Sequence, residues 1–317
     1  MCTAIRFDEK IFGRTLDFER SFGEEIVVTP RGKMRVGEAN NRYAIMGVGI
    51  KNGGTPLYFD GINEWGLTIG ALNFPGCAVY HNPSPGQTGV ASAHIISLVL
   101  GFCRSVAEAR NMLDKICITP DGADESTPPT PLHWMIADSR ESIVAESVSE
   151  GLRVYDNPVG VLTNSPDFPY QLTRLADYSA VSAANPKTTL GGQPLYSRGM
   201  GGIGLPGDYS SASRFARVVF MNENTKKVKT DIESVSRAFH ILSAVSLPRG
   251  CVVTDEGAPV STIYTVCADM EKPGYYLTTA SCRTIRQIRL TDELIEADEI
   301  MTFPIYREEM ILPLHEA

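Results

Sequence analysis

Short stretches in which hydrophobic and polar residues alternate dominate the chain, a pattern typical of β-strands with one buried face. The clearest of them cover residues 25–29, 43–50, 56–59, 67–73, 261–270, 274–280 and 284–290. Residues 142–148 and 152–155 predict a hairpin, because a short turn at Glu150 and Gly151 separates two such stretches. We therefore expect a protein that consists largely of β-sheet.

Helical spacing of hydrophobic residues occurs in two blocks. Residues 91–103 and 105–116 predict a pair of helices, the second opened by the capping-box residues Ser105 and Glu108. Another helix begins at Thr230, and the residues that recur on one face of it are Ile232, Val235, Phe239 and Leu242. Because strands occupy both ends of the chain and helices are grouped between them, we expect an α+β fold of two sheets between two helical layers.

Composition is that of an ordinary globular protein, with 317 residues of which 43% are hydrophobic and 21% charged. The net charge of −8 comes from interspersed acids and bases, which argues against a nucleic-acid-binding surface. No basic stretch followed by a long apolar run opens the sequence, and the longest strongly apolar stretch, residues 95–102, is too short to span a bilayer. We expect a cytoplasmic protein with no membrane insertion.

The cysteines and histidines are dispersed along the chain. None of the seven cysteines belongs to a C-x-x-C pair and the sequence contains no H-E-x-x-H, so neither a zinc site nor a disulfide framework is predicted. A papain-like pairing of a cysteine with a histidine stays open, because such partners meet only in the fold.

Cys2 directly follows the initiator methionine. Removal of Met1 would give Cys2 both a thiol and a free α-amine, whose ordinary pKa of about 7.7–8.0 leaves a useful neutral fraction near pH 7. That amine could accept the thiol proton, a known arrangement for covalent catalysis. The alternative is that Cys2 is only one of the small residues that commonly follow methionine.

Four polar segments, residues 12–17, 70–76, 160–166 and 204–215, stand out against the predicted strands. In the first, alternation places Asp17 on one face, where its carboxylate could orient the α-amine. Arg14 falls on the other face, where it could stabilise a thiolate. Surface charge is the competing interpretation of both residues.

In the second and third segments, a predicted strand ends at an asparagine, Asn73 and Asn164 respectively. The amide of Asn164 could donate to a developing oxyanion, whereas Asn73 is also explained as a turn residue. The fourth segment is rich in glycine and serine and leads into Arg214, but it lacks the spacing of a phosphate-binding loop.

Together with Cys2, these segments resemble the choloylglycine hydrolase family of N-terminal-nucleophile hydrolases, which contains bile salt hydrolases and penicillin V acylases. The resemblance runs through nearly the whole chain and is carried by Met1–Thr3, Phe12–Asp17, Leu72–Gly76, Leu132–Trp134, Val161–Pro166 and Gly204–Phe215. It implies a four-layer αββα sandwich, formed as a single domain by residues 2–317. It also implies cysteine-dependent amide hydrolysis through an acyl-enzyme, with no metal or organic cofactor.

The same resemblance implies a role for each polar residue of the motifs. Cys2 would be the nucleophile, with Arg14 near its sulfur and Asp17 holding its α-amine. The residues implied for the oxyanion hole and the polar cluster around it are Asn73, Asn164 and Arg214.

The substrate class implied is conjugated bile salts, because Asn73 stands where penicillin V acylases typically carry tyrosine. Leu16 and Phe59 are candidates for lining the steroid pocket, with ordinary core packing as an equal alternative. Residues 184–207 resemble the insertion through which bile salt hydrolases assemble into tetramers. Within it, Tyr196–Gly199 resembles a loop associated with taurine preference, which makes Arg198 a candidate for binding the sulfonate.

Two other functions stay open. The chain could be a penicillin V or other N-acyl amide acylase, or a non-catalytic member that binds amphipathic acids while Cys2 is blocked. Glycine or taurine release from conjugated bile salts would separate the expected function from both.

Overall fold

A computed structural model describes residues 1–52, 55–124, 127–187, 190–192, 197–228, 230–309, 311 and 313. The strands in this part of the chain are β1 (Cys2–Phe7), β2 (Ile11–Phe18), β3 (Glu25–Thr29), β4 (Arg35–Val36), β5 (Ala39–Asn40), β6 (Ile45–Asn52), β7 (Thr55–Tyr58), β8 (Asp60–Asn63), β9 (Thr68–Asn73), β10 (Thr88–Ala91), β11 (Ile116–Thr119), β12 (Leu132–Ala137), β13 (Ser142–Val148), β14 (Gly151–Asp156), β15 (Val161–Leu162), β16 (Val252–Val253), β17 (Pro259–Asp269), β18 (Gly274–Thr279), β19 (Cys282–Arg289) and β20 (Met301–Pro304). The α-helices are α1 (Ile95–Phe102), α2 (Val106–Leu113), α3 (Phe168–Arg174), α4 (Ser211–Asn224), α5 (Asp231–Ser243) and α6 (Asp292–Ile295). Short 3-10 helices lie at Ser92–His94, Leu175–Tyr178, Leu190–Gly192 and Met200–Gly202.

Two sheets form the centre of the molecule. The first has the strand order β15-β1-β2-β17-β18-β19, with β16 paired to β17. The second has the order β14-β13-β12-β9-β8-β6-β3-β20, with β7 paired to β6. Strands that are distant in sequence are neighbours in the first sheet, since β1 pairs with β15 and β2 pairs with β17, both antiparallel. These pairings bring the N-terminal segment next to residues 160–166.

The hydrophobic clusters on the two faces of the second sheet define the layers. On β12, Met135 belongs to the cluster shared with the first sheet, whereas Trp134 and Ile136 belong to the cluster under α1 and α2. This alternation is the two-residue period of a strand with both faces covered. Helix α5 packs on β2 and β17, and α1 packs on β8 and β9. The order α4/α5, first sheet, second sheet, α1/α2 confirms the predicted αββα sandwich.

The predicted helix over residues 91–103 is wrong at its start. Ala91 ends β10, which pairs in parallel with β11, and α1 begins only at Ile95. Local periodicity cannot reveal this strand, because its partner lies beyond two helices along the chain. The capping residue Ser105 was predicted correctly, since its side chain accepts a hydrogen bond from the Glu108 N–H at 3.3 Å.

Helix α5 also departs from the predicted face at one position. Val235, Phe239 and Leu242 are buried, but Ile232 is 78% exposed. Ile232 lies in the first turn of α5, so the buried face begins one turn later, at Val235. Thr230 caps the helix as predicted, and its side chain accepts from the Glu233 N–H at 3.3 Å.

The described parts of residues 184–207 lie between α3 and α4. The Ser182 N–H donates to the Gly201 oxygen at 2.9 Å, and Asn185 Oδ1 accepts from the Met200 N–H at 3.0 Å. Tyr196 lies outside the described residues. Across the described ranges, no helix combines the length and hydrophobicity that crossing a membrane requires.

Candidate active site

Cys2 opens β1, and only 3% of its surface is exposed. It pairs with Leu16 of β2, and its main-chain N–H donates to Asn164 Oδ1 at 2.9 Å. With Met1 present, the terminal ammonium lies one residue beyond Cys2 and donates to the main-chain oxygen of Asp17 at 2.6 Å. The β1–β2 pairing therefore continues to the end of the chain and fixes the main chain of Cys2.

Arg14, on the neighbouring strand β2, donates a hydrogen bond to the Cys2 sulfur. Its Nη2 lies 3.5 Å from Cys2 Sγ and also donates to the Ala71 oxygen at 2.8 Å. Its Nη1 donates to Asp60 Oδ2 and to Tyr264 Oη, both at 2.6 Å. These contacts hold a buried guanidinium against the sulfur, where it can stabilise a thiolate.

Asp60 is a buried acid of this cluster that the sequence interpretation missed. Its Oδ2 accepts from the Tyr264 hydroxyl at 2.6 Å, and its Oδ1 accepts from the Tyr275 hydroxyl at 2.9 Å. A signal did exist, because Asp60 is the single acid within the mainly apolar residues 56–63, and a buried acid requires a partner. The sequence could not show that this partner is Arg14.

The electrostatics of this cluster favour a charged Arg14 and neutral phenols. Burial by itself lowers the pKa of Arg14, but its electrostatic interactions with the Tyr264 oxygen, the Cys2 sulfur and Asp60, together with its hydrogen bond to Asp60, raise it above its ordinary value. Burial raises the pKa of Tyr264 and of Tyr275. Both hydroxyls therefore stay protonated and donate to Asp60.

Asn164, two residues beyond β15, connects the other polar residues. Its Oδ1 accepts from the Cys2 N–H and from Arg214 Nη2, the latter at 2.6 Å, and its Nδ2 donates to the Asn73 oxygen at 2.8 Å. Two donors facing one atom identify that atom as the amide oxygen. The amide nitrogen carries two hydrogens, and the bond to the Asn73 oxygen uses one of them.

Arg214 lies in the first turn of α4 and is fully buried. Its Nη1 donates to the Cys2 oxygen at 2.5 Å and to Thr3 Oγ1 at 2.6 Å, while its Nε donates to the Tyr209 oxygen at 3.1 Å. Burial lowers the pKa of Arg214, and the charge of Asp17 partly offsets this effect. Arg214 thus fixes the main chain of Cys2 and the side chain of Asn164 together.

Asp17 is buried on β2, close to the N-terminus. Its Oδ1 accepts from Thr262 Oγ1 at 2.6 Å, and its Oδ2 accepts from Thr15 Oγ1 at 3.3 Å. Burial raises the pKa of Asp17, against the opposing charges of Arg214 and the terminal ammonium. The direct contact of the Met1 ammonium is with the Asp17 main-chain oxygen and not with the carboxyl group.

The remaining candidates occupy less central places. Asn73 ends β9 half-buried and contributes its main-chain oxygen to Asn164. Leu16 is 6% exposed in the core, and half-buried Phe59 packs edge-on against Phe22 with ring centroids 5.4 Å apart. Arg198 is exposed, and none of the described hydrogen bonds joins it to the residues around Cys2.

The described part of the chain contains no candidate metal site and no hydrogen bond between a cysteine thiol and a histidine ring. No group of three or more His, Cys, Asp or Glu residues there could hold a metal ion. The described histidines make no hydrogen bond to Cys2, and His315 lies outside the described residues. Among the described residues, a papain-like pairing of Cys2 with a histidine therefore finds no support.

Comparison with known proteins gives matches over most of the chain. Residues 2–303 match the family of linear amide C–N hydrolases, choloylglycine hydrolase family. The bile salt hydrolase/transferase of Lactiplantibacillus plantarum is 41% identical over 97% of this chain and 98% of its own length. That of Clostridium perfringens is 36% identical over 96% of both chains.

Solved structures agree with these matches. The C2A mutant of the conjugated bile acid hydrolase from Clostridium perfringens has a TM-score of 0.91 and 35% identity, with 99% of this chain and 100% of that chain covered. The penicillin V acylase of Agrobacterium tumefaciens, at 22% identity and a TM-score of 0.76 with 98% and 95% covered, shares the fold. On these matches and on the arrangement around Cys2, the chain belongs to the choloylglycine hydrolase family of linear amide hydrolases.

Proposed function

We propose that this protein is a bile salt hydrolase that releases glycine or taurine from conjugated bile salts through a thioester on Cys2. The observation that carries the proposal is the position of Cys2, with its sulfur 3.5 Å from Arg14 Nη2 and its nitrogen 2.9 Å from Asn164 Oδ1. Relatives named as bile salt or conjugated bile acid hydrolases match at 41% and 34% identity over nearly the whole chain, which supports the substrate class.

The reaction begins from the processed chain. Removal of Met1 makes the Cys2 nitrogen an α-amine, which can donate one hydrogen to Asn164 Oδ1 and keep its lone pair for the thiol proton. The sulfur then attacks the amide carbonyl carbon, and the second Nδ2 hydrogen of Asn164 stabilises the oxyanion. The protonated α-amine returns the proton to the leaving glycine or taurine nitrogen, and water hydrolyses the thioester.

The two buried arginines, Arg14 and Arg214, have different roles in this reaction. Arg14 stabilises the thiolate that forms on proton transfer, and Asp60 keeps its guanidinium in place. Arg214 holds Cys2 and Asn164 in fixed relative positions, and Asp17 stabilises the ammonium form of the α-amine. Every residue of this set except Asp60 was a candidate from the sequence.

Substrate selection, assembly and location belong to the same proposal. Asn73 favours bile salts over penicillin V, Leu16 and Phe59 line the steroid pocket, and residues 184–207 assemble the single domain into a homotetramer with closed symmetry. Arg198 contacts the sulfonate of taurine conjugates. A cytoplasmic location is supported by the seven cysteines, all of which are free thiols in the structure.

One experiment separates the three candidate functions. The purified protein is incubated with glycocholate, taurocholate and penicillin V, and the released amines are measured beside a Cys2→Ala control. We expect release from the bile salts and loss of release in the control. Release from penicillin V alone would indicate an acylase, and no release from a protein whose mass shows a free Cys2 would indicate a binding protein.

A further inference from the structure

His133 is buried on β12 and contacts the immediate neighbours of both asparagines in the site. Its imidazole stacks on the Phe74 ring with centroids 4.3 Å apart and an interplanar angle of 8°, and Phe74 follows Asn73. Its Nε2 lies 2.9 Å from the Thr163 oxygen, and Thr163 precedes Asn164. The His133 side chain thus contacts both segments, Asn73–Phe74 and Thr163–Asn164, that the hydrogen bond from Asn164 Nδ2 connects.

Both ring nitrogens of His133 face acceptors. Nδ1 lies 2.9 Å from Glu146 Oε1, and both oxygens of Glu146 also accept from the Phe168 N–H at 3.1 Å. A neutral imidazole carries a single N–H, whereas the Thr163 carbonyl can only accept. The observed contacts therefore require a hydrogen on Nε2 and a second one between Nδ1 and Glu146.

The Thr163–Asn164 peptide is held from two sides. Its oxygen accepts from His133, and its N–H donates to Ser211 Oγ at 2.8 Å. Rotation of this peptide would move the Asn164 side chain away from Cys2. Catalytic groups tolerate little displacement, since a misplacement of about 1 Å can cost about 10²-fold in rate.

We propose that His133 is a positioning residue for Asn164, the proposed donor to the oxyanion. We also propose that Glu146 keeps a hydrogen on Nε2 of His133. His133 touches no reacting atom and acts through Thr163 and Phe74. Glu146 acts through His133 by forming the hydrogen bond at Nδ1 of the ring. The inference rests on the proposed reaction at Cys2 and adds to it the residues that hold Asn164 in place.

Two substitutions separate positioning from general stabilisation. His133→Phe keeps an aromatic ring against Phe74 and removes both donors. Glu146→Gln can donate its amide hydrogen to Nδ1 and accept from the Phe168 N–H, so a neutral ring keeps its Nε2 hydrogen. We expect His133→Phe and Glu146→Ala to lower kcat about 10- to 100-fold with KM changed less than about threefold, and Glu146→Gln to restore kcat to within about threefold of wild type.

Further variants guard against misfolding and against a purely structural effect. The double variant His133→Phe with Glu146→Gln leaves no unpaired buried carboxylate, and it is expected to show the kcat loss of His133→Phe. Thr68→Val is the control, because Thr68 Oγ1 donates to the Ala137 oxygen at 2.8 Å at the other end of the same strand pair. It should lower the melting temperature while kcat stays at the wild-type value.

Nitrogen NMR of ring-labelled histidine gives a readout that does not depend on activity. The His133 signal, assigned by its absence in His133→Phe, is expected to show a protonated Nε2 in the wild type and in Glu146→Gln. A bare Nε2 in the wild type, or a folded double variant with wild-type kcat, would overturn the inference. A wild-type enzyme that releases no amine from glycocholate would instead overturn the proposed function, and the NMR result would still decide the state of Nε2.

Discussion

Arg14 Nη1 and Asp60 Oδ2 lie 2.6 Å apart, and neither side chain is more than 2% exposed. The contact is a buried ion pair with the Cys2 sulfur on one side and two tyrosine hydroxyls on the other. Loss of one partner from such a pair leaves an uncompensated charge in the interior. Asp60 therefore compensates the buried charge of Arg14 and helps to hold its guanidinium beside the Cys2 sulfur.

Replacement of Asp60 by Asn should destabilise the protein and lower its activity together. Removing one partner of a buried pair costs about 3–5 kcal/mol, which urea unfolding can measure. Asp298→Asn is the matched control, because Asp298 pairs with Lys33 at 3.3 Å on the surface and its side chain is fully exposed. An equal unfolding midpoint for Asp60→Asn and wild type would contradict the importance of the buried pair.

Loss of the Asn164 amide should slow the chemical step. Asn164→Ala removes a donor to the oxyanion, an effect of about 10²–10³ in kcat, or about 2.7–4 kcal/mol, with KM less affected. Ser165→Ala serves as the control, since Ser165 Oγ makes a comparable bond to the Pro75 oxygen from the next position in the chain. If Asn164→Ala mainly raised KM, Asn164 would be a binding residue outside the oxyanion hole.

The side chain of Asn73 should affect substrate choice more than folding. Its main-chain oxygen accepts from Asn164, so Asn73→Tyr keeps that contact while replacing the half-buried side chain to which the proposal assigns substrate choice. We expect glycocholate turnover to fall far more than the melting temperature, with the ratio of penicillin V to glycocholate turnover rising. Unchanged glycocholate hydrolysis would remove Asn73 as the discriminating residue.

Arg198 should matter for one conjugate more than for the other. The sulfonate of taurine is the expected contact of its exposed guanidinium, so Arg198→Ala should lower kcat/KM for taurocholate more than for glycocholate. Arg249, also on the surface, provides a control through Arg249→Ala, which should affect both substrates little. Equal losses with the two substrates in Arg198→Ala would make it a structural residue.

The sequence was sufficient where the information is local. Alternation showed which residues share a face of a strand, and strand ends followed by Gly or Pro pointed to Asn73 and Asn164. It was insufficient where a contact joins distant positions, as between Arg14 and Asp60, or between Arg14 and Tyr264, which are 250 positions apart. The same limit explains the missed β10, whose partner strand is β11, and the missed link from His133 to Thr163.

The state of the N-terminus should decide whether the enzyme is active. With Met1 present, the Cys2 nitrogen is an amide that donates to Asn164 Oδ1 and has no lone pair for the thiol proton. Any uncleaved residue before Cys2 should therefore abolish turnover as completely as Cys2→Ala, although the thiol and Arg14 stay in place. Cys2→Ser should also be severely impaired, because an alcohol ionises much less readily than a thiol.

Intact mass and glycocholate turnover, measured on the same sample, test this dependence on processing. A protein tagged at the C-terminus is the control and should keep its activity, because that tag leaves the Cys2 nitrogen free. Turnover in a mixed sample should rise in proportion to the fraction whose mass lacks Met1. Full turnover by a protein with an uncleaved N-terminal extension would exclude the α-amine as the base, and a side chain near Cys2 would then have to accept the thiol proton.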